Sequence, residues 1–569
     1  MNIKIQKINR AVYKYWWFAA YFLVLLDRGG FESHTTFFAL FICLLSIIGA
    51  AKKRGYLLVE NRQCLFYKSL IVTGGMLSAL TGIDCGESIY GLLRLITILV
   101  MEMAVQQLEE RDKKAFLYTI PFTGIFLLMG CFFHNFSIFQ GWVSGIGRFN
   151  GSFGYSNTMA LFLLLGIIIA EHFYRRGRRV IQLVLAVGVL ATGSRTAFVI
   201  LCGYLVFIFV RYKGRNKNIL FVFSGIVGLI GFISVSGGNL HGMSRFLKLG
   251  INASTFQGRL LYWEDAIRML AKKPVGLGYM GYFYFQQVEQ TGVYSVRFVH
   301  NEWIQWVLDY GILAGIGLAM YLYHQCKWRN IPAPDKELMC VIAIYSFFDF
   351  HMQFFSIIFI ALMLIPKGNV TWMCGWERKK QRMWKYGLLC GTGLSLCLCI
   401  ATGIAEYYAD VEDYNQAVKW NPFSAQYKQQ LLLQSENLEA ADIYADSLLG
   451  KNKYLYAAYL IKSNAAAQKG QLDNFIENRR KVLRLRKYKV NEYEEYFEIL
   501  FNWYLNSYEN GNMKEREMCL AAMKEIPELI TDVKRKTSLR AYRIQEKPEI
   551  AFKNDYINLI KQIEGSKDE

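Results

Sequence analysis

The amino-acid sequence predicts an all-α protein: a polytopic membrane part of about thirteen transmembrane helices, followed by a soluble α-helical domain. Three observations carry that prediction. Of 569 residues, 53% are apolar and 15% aromatic, with only 8 prolines, and the mean hydropathy is +0.18, a composition suited to lipid burial. The apolar residues gather in runs close to the ~20 residues that a spanning helix needs. Short basic clusters fall between alternate runs, the charge pattern that sets membrane orientation.

Along the chain the runs lie near 14–26, 35–51, 65–82, 88–107, 115–133, 156–173, 180–193, 196–212, 219–236, 303–324, 337–350, 352–366 and 385–404. The first follows a basic flank, MNIKIQKINR, and lacks a small-residue cleavage site, so it reads as a retained helix rather than a cleaved signal. The clusters Lys52 to Arg54, Arg111 to Lys114, Arg175 to Arg179, Arg211 to Lys217, Lys327 to Arg329 and Glu377 to Arg382 all fall on one side if the spans alternate, as does the N-terminus. The positive-inside rule makes that side cytoplasmic in a multi-pass protein of the cytoplasmic membrane. The net charge of +20 is therefore an orientation signal. It is not a nucleic-acid signal, because the basic residues are scattered between apolar runs rather than gathered on one soluble face. The 12 cysteines lie mostly in apolar runs or basic loops, without CxxC or Cys/His metal spacing, so no disulfide framework or zinc site is expected.

The membrane domain spans 1–404. Residues 405–569 hold 25 Lys and Arg against 26 Asp and Glu and read as an external helical domain. Stretches such as AEYYADVEDYNQAVKWNPFSAQYKQQLLLQ place Ala and Tyr at helical spacing before Asn-Pro. A tetratricopeptide-like solenoid and an irregular helical domain fit equally, since the full repeat consensus is not met.

Alternation places the loop 134–155, the turn 192–196, the long loop 237–302 and the turn 349–351 on the external side. That side then carries Arg148, Arg195, Arg245, Arg259, Arg297 and His300. Exceptions to a charge rule that otherwise holds point to function. The segment 259-RLLYWEDAIRMLAKK-273 forms an amphipathic helix, with Leu261, Trp263, Ala266, Ile267 and Leu270 in one apolar sector, broken after Lys273 by Pro274, Gly276, Gly278 and Gly281. Tied between two spans, it is expected to lie along the membrane surface. Arg259 at its start either anchors it at lipid headgroups or holds an anion. Asn157, at the mouth of a helix, reads as an N-cap, which leaves the outward Arg148 unexplained. Arg195 sits in a tight turn without an acidic neighbour, where snorkelling or an anion between helices would satisfy it. A lone histidine is usually a structural hydrogen-bonder. His300, however, stands at a helix start with Arg297 before it and Glu302 after it, a setting that suits a general base. No nucleophile motif and no Asp-rich metal cluster accompanies it. Guanidinium forks pair with phosphate oxygens and can neutralise a departing pyrophosphate as a metal would. The set suits transfer from a lipid pyrophosphate, with His300 deprotonating an acceptor hydroxyl and with no cofactor.

The stretches RFNGSF…N at 148–157, GSRTA at 193–197, R…W…A…KKPVGLGYMGY at 259–282, HNEWIQWVLDYGILAG at 300–315 and FFDFHMQFFSIIFIALM at 347–363, in this order between these spans, resemble the O-antigen ligase/O-antigen polymerase family of bacterial envelope glycosyltransferases. The resemblance covers 35–366 in layout and is strongest over 145–365. It implies a GT-C-like membrane fold and metal-independent transfer from an undecaprenyl-pyrophosphate-linked glycan to a glycan or lipid-glycan acceptor, among membrane lipids. It implies substrate-binding roles for Arg148, Arg195 and Arg259, with Arg297 adjacent, and catalysis by His300; Asn157, Asn301 and Asp349 are further candidates. Ser156 stands where a proline often precedes the asparagine, and Asp309 where glutamate is common before Gly311. The C-terminal domain lies outside the core resemblance and is where a protein partner would bind. Ligases, polymerases and protein O-glycosyltransferases share this core. The competing class is a transporter or flippase of lipid-linked glycans, which should show charges along a path inside several spans; in the sequence the charges concentrate at one face. A non-catalytic membrane anchor would leave the arginine–histidine set unexplained.

Overall fold

The computed structural model describes residues 17–211, 253–325, 331–366, 370–373 and 382–565. The apolar runs form α1 (Trp17–Leu26), α2 (Ser33–Arg54), α3 (Arg62–Thr81), α4 (Cys85–Gln106), α5 (Glu110–Leu117), α6 (Ile120–Phe132), α7 (Ser156–Phe173), α8 (Arg178–Ala191) and α9 (Arg195–Arg211). Two helices of the long loop follow, α10 (Ser254–Lys272) and α11 (Gly281–Glu289), then α12 (Glu302–Gln325), α13 (Ala333–Tyr345), α14 (Phe355–Met363) and α15 (Arg382–Asp410). Among the described residues the chain is all-α apart from one antiparallel ribbon, β1 (Tyr56–Val59) with β2 (Val370–Met373).

Among the described residues, not every expected run forms a helix long enough to span by itself. Among the described residues 7 helices are long and apolar enough to cross a membrane: α2, α3, α4, the joined α5–α6, α7, α12 and α15. The helices α1, α8, α9, α13 and α14 occupy five other expected runs as shorter pieces, and the run at 219–236 and Arg245 lie outside the described residues. Turn residues bound α8. Gly177, at φ 70°, precedes α8 and Thr192 ends it; at 1.5 Å per residue this helix reaches only about 21 Å, short of a ~30 Å hydrocarbon core. Such helices need neighbours. The most enclosed long helix is α7, buried on every side from Thr158 to Glu171, as a helix apolar all round must be.

The helix α12 is broken inside the bundle. Gly311 sits at φ 84°, ψ 166°, and a Cβ there would lie 2.2 Å from the Val275 carbonyl oxygen, so only glycine fits. The loop 274–280, with its proline and glycines, fills the break. Leu277 N–H donates to Leu308 O at 2.6 Å and Ile312 N–H to Pro274 O at 3.0 Å, while Ser78 Oγ donates to Asp309 O at 2.7 Å. Irregular backbone among spanning helices is tolerated where protein satisfies it, as here.

The described parts of the basic clusters gather at one end of the bundle. Arg54 donates to Gln107 O at 3.0 Å, Gln107 to Leu58 O at 2.8 Å, and Lys113 to Ile365 O at 3.1 Å. Glu337 holds both His172 and Arg211. The opposite end holds the starts of α7, α9, α10 and α12 and the turn between α13 and α14.

The helix α15 runs unbroken across position 404 to Asp410. Beyond it lie α16 (Tyr414–Trp420), α17 (Ala425–Leu433), α18 (Leu438–Leu449), α19 (Tyr456–Gln468), α20 (Leu472–Leu485), α21 (Val490–Glu509), α22 (Met513–Lys536) and α23 (Asn554–Gly565). These helices pack on the end away from the basic clusters. Asn452 donates to Asp84 at 3.1 Å, Ala425 N–H to Glu87 at 3.3 Å, and Lys487 to Val288 O at 2.7 Å. The charge rule expects the basic end to be cytoplasmic, and on that expectation a cysteine introduced at Lys469 should react with a membrane-impermeant maleimide added to intact cells. Protection until the membrane is opened would place this domain inside.

Candidate active site

The starts of several helices converge at the end opposite the basic clusters, and each brings a polar side chain. Helix starts expose unpaired N–H groups and the positive end of the helix dipole, so the region is prepared for an anion before any side chain is counted.

Asp349 is the hub. It sits in the turn after α13 with its side chain 1% exposed. Its carboxylate accepts from Tyr155 Oη at 2.9 Å, Asn157 Nδ2 at 2.5 Å, Arg259 Nη2 at 3.3 Å and His300 Nδ1 at 3.1 Å. Burial pushes the acid's pKa up, but the His300 hydrogen bond and the Arg259 charge outweigh it and hold the carboxyl well below the usual carboxylate range. Asp349 is therefore an ionised acceptor with all its near neighbours donating.

His300 occupies the left-handed region at φ 56°, a conformation that costs a non-glycine residue about 1–2 kcal/mol. The chain is held there from both sides: Val299 N–H donates to Gln305 Oε1 at 2.9 Å, and Asn301 Oδ1 accepts from Ile304 N–H at 3.1 Å. Asn301 thus caps α12 and is buried; it shapes the approach to the site and does not line it. The imidazole packs edge-on against Phe350, 5.0 Å between centroids, and its side chain is 20% exposed.

Arg148 donates through Nε to Thr192 O at 2.7 Å and through Nη2 to Asn157 Oδ1 at 3.0 Å. Asn157 is not the cap of α7, as the sequence suggested. The N-cap is Tyr155, and Asn157, one position inside the helix, bridges Arg148 to Asp349. Arg195 opens α9 and reaches Thr255 Oγ1 on α10 at 3.3 Å, while Arg259 reaches back to Thr196 Oγ1 at 3.4 Å. Arg259 is one turn inside α10, facing Asp349. The headgroup-anchor reading of Arg259 gives way to an inward ion pair, because the helix is not laid on a lipid surface. Leu261 and Ala266 are both fully buried, against different neighbours, while Ile267 is exposed.

The structure therefore brings Arg148, Asn157, Arg259, His300 and Asp349 into one network, with Arg195 beside it. Arg297 stands apart. It is exposed, with its Nε 3.4 Å from Met280 Sδ and its guanidinium 5.2 Å above the Phe31 ring. Sequence reasoning missed Tyr155, Thr192, Thr196 and His351. His351 is fully buried beside Ser346, and burial pushes its pKa down to about 4, so it stays neutral near pH 7. Its place two residues from Asp349 was the only sequence signal. Among the described residues no three His, Cys, Asp or Glu side chains form a set that could hold a metal.

Charges do not stay at one face. Arg94 on α4 and Asp309 on α12 are buried within spanning helices. Together with Lys68, Glu102 and Glu302 they line a largely apolar cavity of about 960 Å³ between α3, α4, α12, α13 and α14. Arg94 Nη2 is satisfied by Gln353 O at 2.6 Å. The charged side chains in these apolar helices turn inward, Arg94 and Glu102 both being buried.

Residues 180–319 match the family model described as O-Antigen ligase. The matched segment includes Arg195, Arg259, Arg297, His300 and Asn301, and stops short of Arg148, Asn157 and Asp349. No curated protein and no solved structure matches the chain. The match bears out the resemblance to the O-antigen ligase/polymerase family and supports a multi-pass membrane enzyme acting on polysaccharide.

Proposed function

We propose that this O-antigen ligase-like protein is a glycosyltransferase that moves a glycan from undecaprenyl pyrophosphate to an acceptor hydroxyl, at the external face of the cytoplasmic membrane. The observation that carries the reading is the His300–Asp349 hydrogen bond at 3.1 Å. An ionised carboxylate can only accept, so Nδ1 of a neutral His300 carries the proton and Nε2 keeps its lone pair. That is the tautomer a general base needs. Nε2 takes the proton of the acceptor hydroxyl. The hydroxyl oxygen bonds to the anomeric carbon, and the bond from that carbon to the pyrophosphate oxygen breaks with its electron pair leaving on the phosphate. Arg148, Arg195 and Arg259, with the converging helix starts, stabilise that charge. The remaining electrostatic demand is met without a cation, so transfer by the purified protein should persist in EDTA. Loss of activity that Mg²⁺ or Mn²⁺ restores would contradict this.

The test is to supply an undecaprenyl-pyrophosphate-linked glycan and an acceptor glycan to the protein in nanodiscs. Release of undecaprenyl pyrophosphate that depends on the acceptor is the expected result. The buried Arg94 and Asp309 along the cavity favour one second reading, a transporter of lipid-linked glycans. It predicts movement of the intact lipid across a vesicle bilayer with no release. Deleting the gene separates the family's outcomes: long lipid-linked chains left unattached indicate a ligase, single repeat units a polymerase.

A further inference from the structure

The helix α10 is held between two bodies. Residues three and four apart on a helix share a face, so Gln257, Leu261 and Glu264 lie on one side, and Thr255, Arg259, Trp263 and Ala266 on the other. The second side faces the membrane helices: Thr255 meets Arg195, Arg259 meets Asp349, and Trp263 lies 6.4 Å from the Phe348 ring. The first side faces the C-terminal domain. A 3-10 turn at Leu539–Arg543, just after α22, docks there. Arg540 donates through Nε to Glu264 Oε1 at 3.0 Å and through Nη1 to the buried Gln257 Oε1 at 2.7 Å. Between those two contacts Leu261 packs in a small core with Tyr294, Ala541 and Ile544. Tyr262 packs on the same core, and its ring lies 6.2 Å from the His300 imidazole. Ser538 N–H also donates to Thr291 O at 2.9 Å, which fixes the loop leading to His300.

We infer that Arg540 is a positioning residue of the transfer site, through which the C-terminal helical domain sets the rotation and height of α10 and so the placement of Arg259 against Asp349. The inference rests on the reading of Arg259 as a donor ligand given above. The Arg540–Glu264 pair is itself 29% and 42% exposed, so its direct contribution to stability is small. Its effect is geometric. Arg259 makes its contact to Asp349 at 3.3 Å, near the limit of a hydrogen bond, so a small roll of α10 opens it.

The experiment titrates full-length protein in nanodiscs with undecaprenyl pyrophosphate, for wild type, Arg259→Ala, Arg540→Ala and the double variant. Arg540→Ala should weaken binding about three- to tenfold, the loss of one charge-assisted contact, and Arg540→Lys should recover part of it. The double variant should bind no more weakly than Arg259→Ala alone, because Arg540 acts through Arg259. Glu264→Gln combined with Gln257→Ala removes the same contacts from the α10 side and serves if Arg540→Ala does not fold; it should show the same non-additivity. Wild-type affinity in Arg540→Ala, or losses that multiply in the double variant, overturns the positioning role and leaves the donor reading standing. Wild-type affinity in Arg259→Ala removes the donor reading, and the positioning role with it.

Discussion

His300→Ala is expected to lower glycan transfer by roughly 10²–10⁴-fold, the usual worth of a positioned general base, while leaving undecaprenyl pyrophosphate binding nearly intact. The separation follows from the geometry. His300 meets Asp349 through Nδ1, and that bond does not engage its other nitrogen. The side chain is part-exposed and adds little to the packed core, so the protein should insert and unfold much as wild type does. Arg195→Ala and Arg259→Ala should behave differently, losing donor affinity together with rate, because each removes a cation from the place where phosphate oxygens and their developing charge would sit. Arg→Lys at either position should recover only part, since a point charge does not reproduce the fork. A well-folded His300→Ala protein that transfers at the wild-type rate would remove His300 as the base, and the network would then be a binding site or a structural cap.

The membrane class was legible because apolar runs and basic clusters are one-dimensional signals: each needs only its own neighbours in sequence. Span count was less legible. The run at 337–350 and the run at 352–366 are apolar enough to read as two spans, yet Phe350 to Phe354 turn through a 3-10 segment and leave two short helices whose missing length is supplied by packing. The site arginines and His300 stood out because they violate the charge rule. What no local pattern could show is that Asp349 would accept from Tyr155, Asn157, Arg259 and His300 at once, since those donors lie 49 to 194 positions away in the chain. Asn157 shows the same limit: its local context is that of a helix cap, and only the approach of Arg148 and Asp349 makes it a bridge. For Arg94 and Asp309, a charge in an apolar run says nothing about which way it faces. Helix α10 was read as amphipathic with one apolar sector, which is what a helix on a surface shows; burial on two sides by two different bodies gives a similar pattern.

Asp349→Asn should fold, and should lower transfer at least as far as His300→Ala does. Among the described residues the carboxylate is the only acidic partner of Arg259 and His300, and an amide is nearly the same size, so the change tests charge and hydrogen-bond direction rather than volume. A carboxamide has one oxygen to accept and one NH₂ that must donate. Four side-chain donors and the Phe350 N–H converge on the position, so the NH₂ meets at least one donor head-on. If it turns towards Nδ1 of His300, the imidazole must accept there and carry its proton on Nε2, which is the wrong tautomer for a base. Asp349→Ala is harsher. It leaves the Arg259 cation and the donors of Tyr155, Asn157 and His300 without their acceptor, and breaking a buried pair in this way costs about 3–5 kcal/mol, enough to lower expression. The amide variant also carries a pH signature. The folded-state pKa of Asp349 is depressed, so its stabilising contribution is complete above the unfolded value of about 4 and is lost as the pH falls below that, at about 1.4 kcal/mol per unit, until the folded pKa is reached. Wild type should therefore be more stable than Asp349→Asn at neutral pH, and thermal unfolding should show the gap narrowing only below about pH 4. A gap that is constant down to pH 3, or near-wild-type transfer by a folded Asp349→Asn protein, would mean that the charge of Asp349 does not hold the network together.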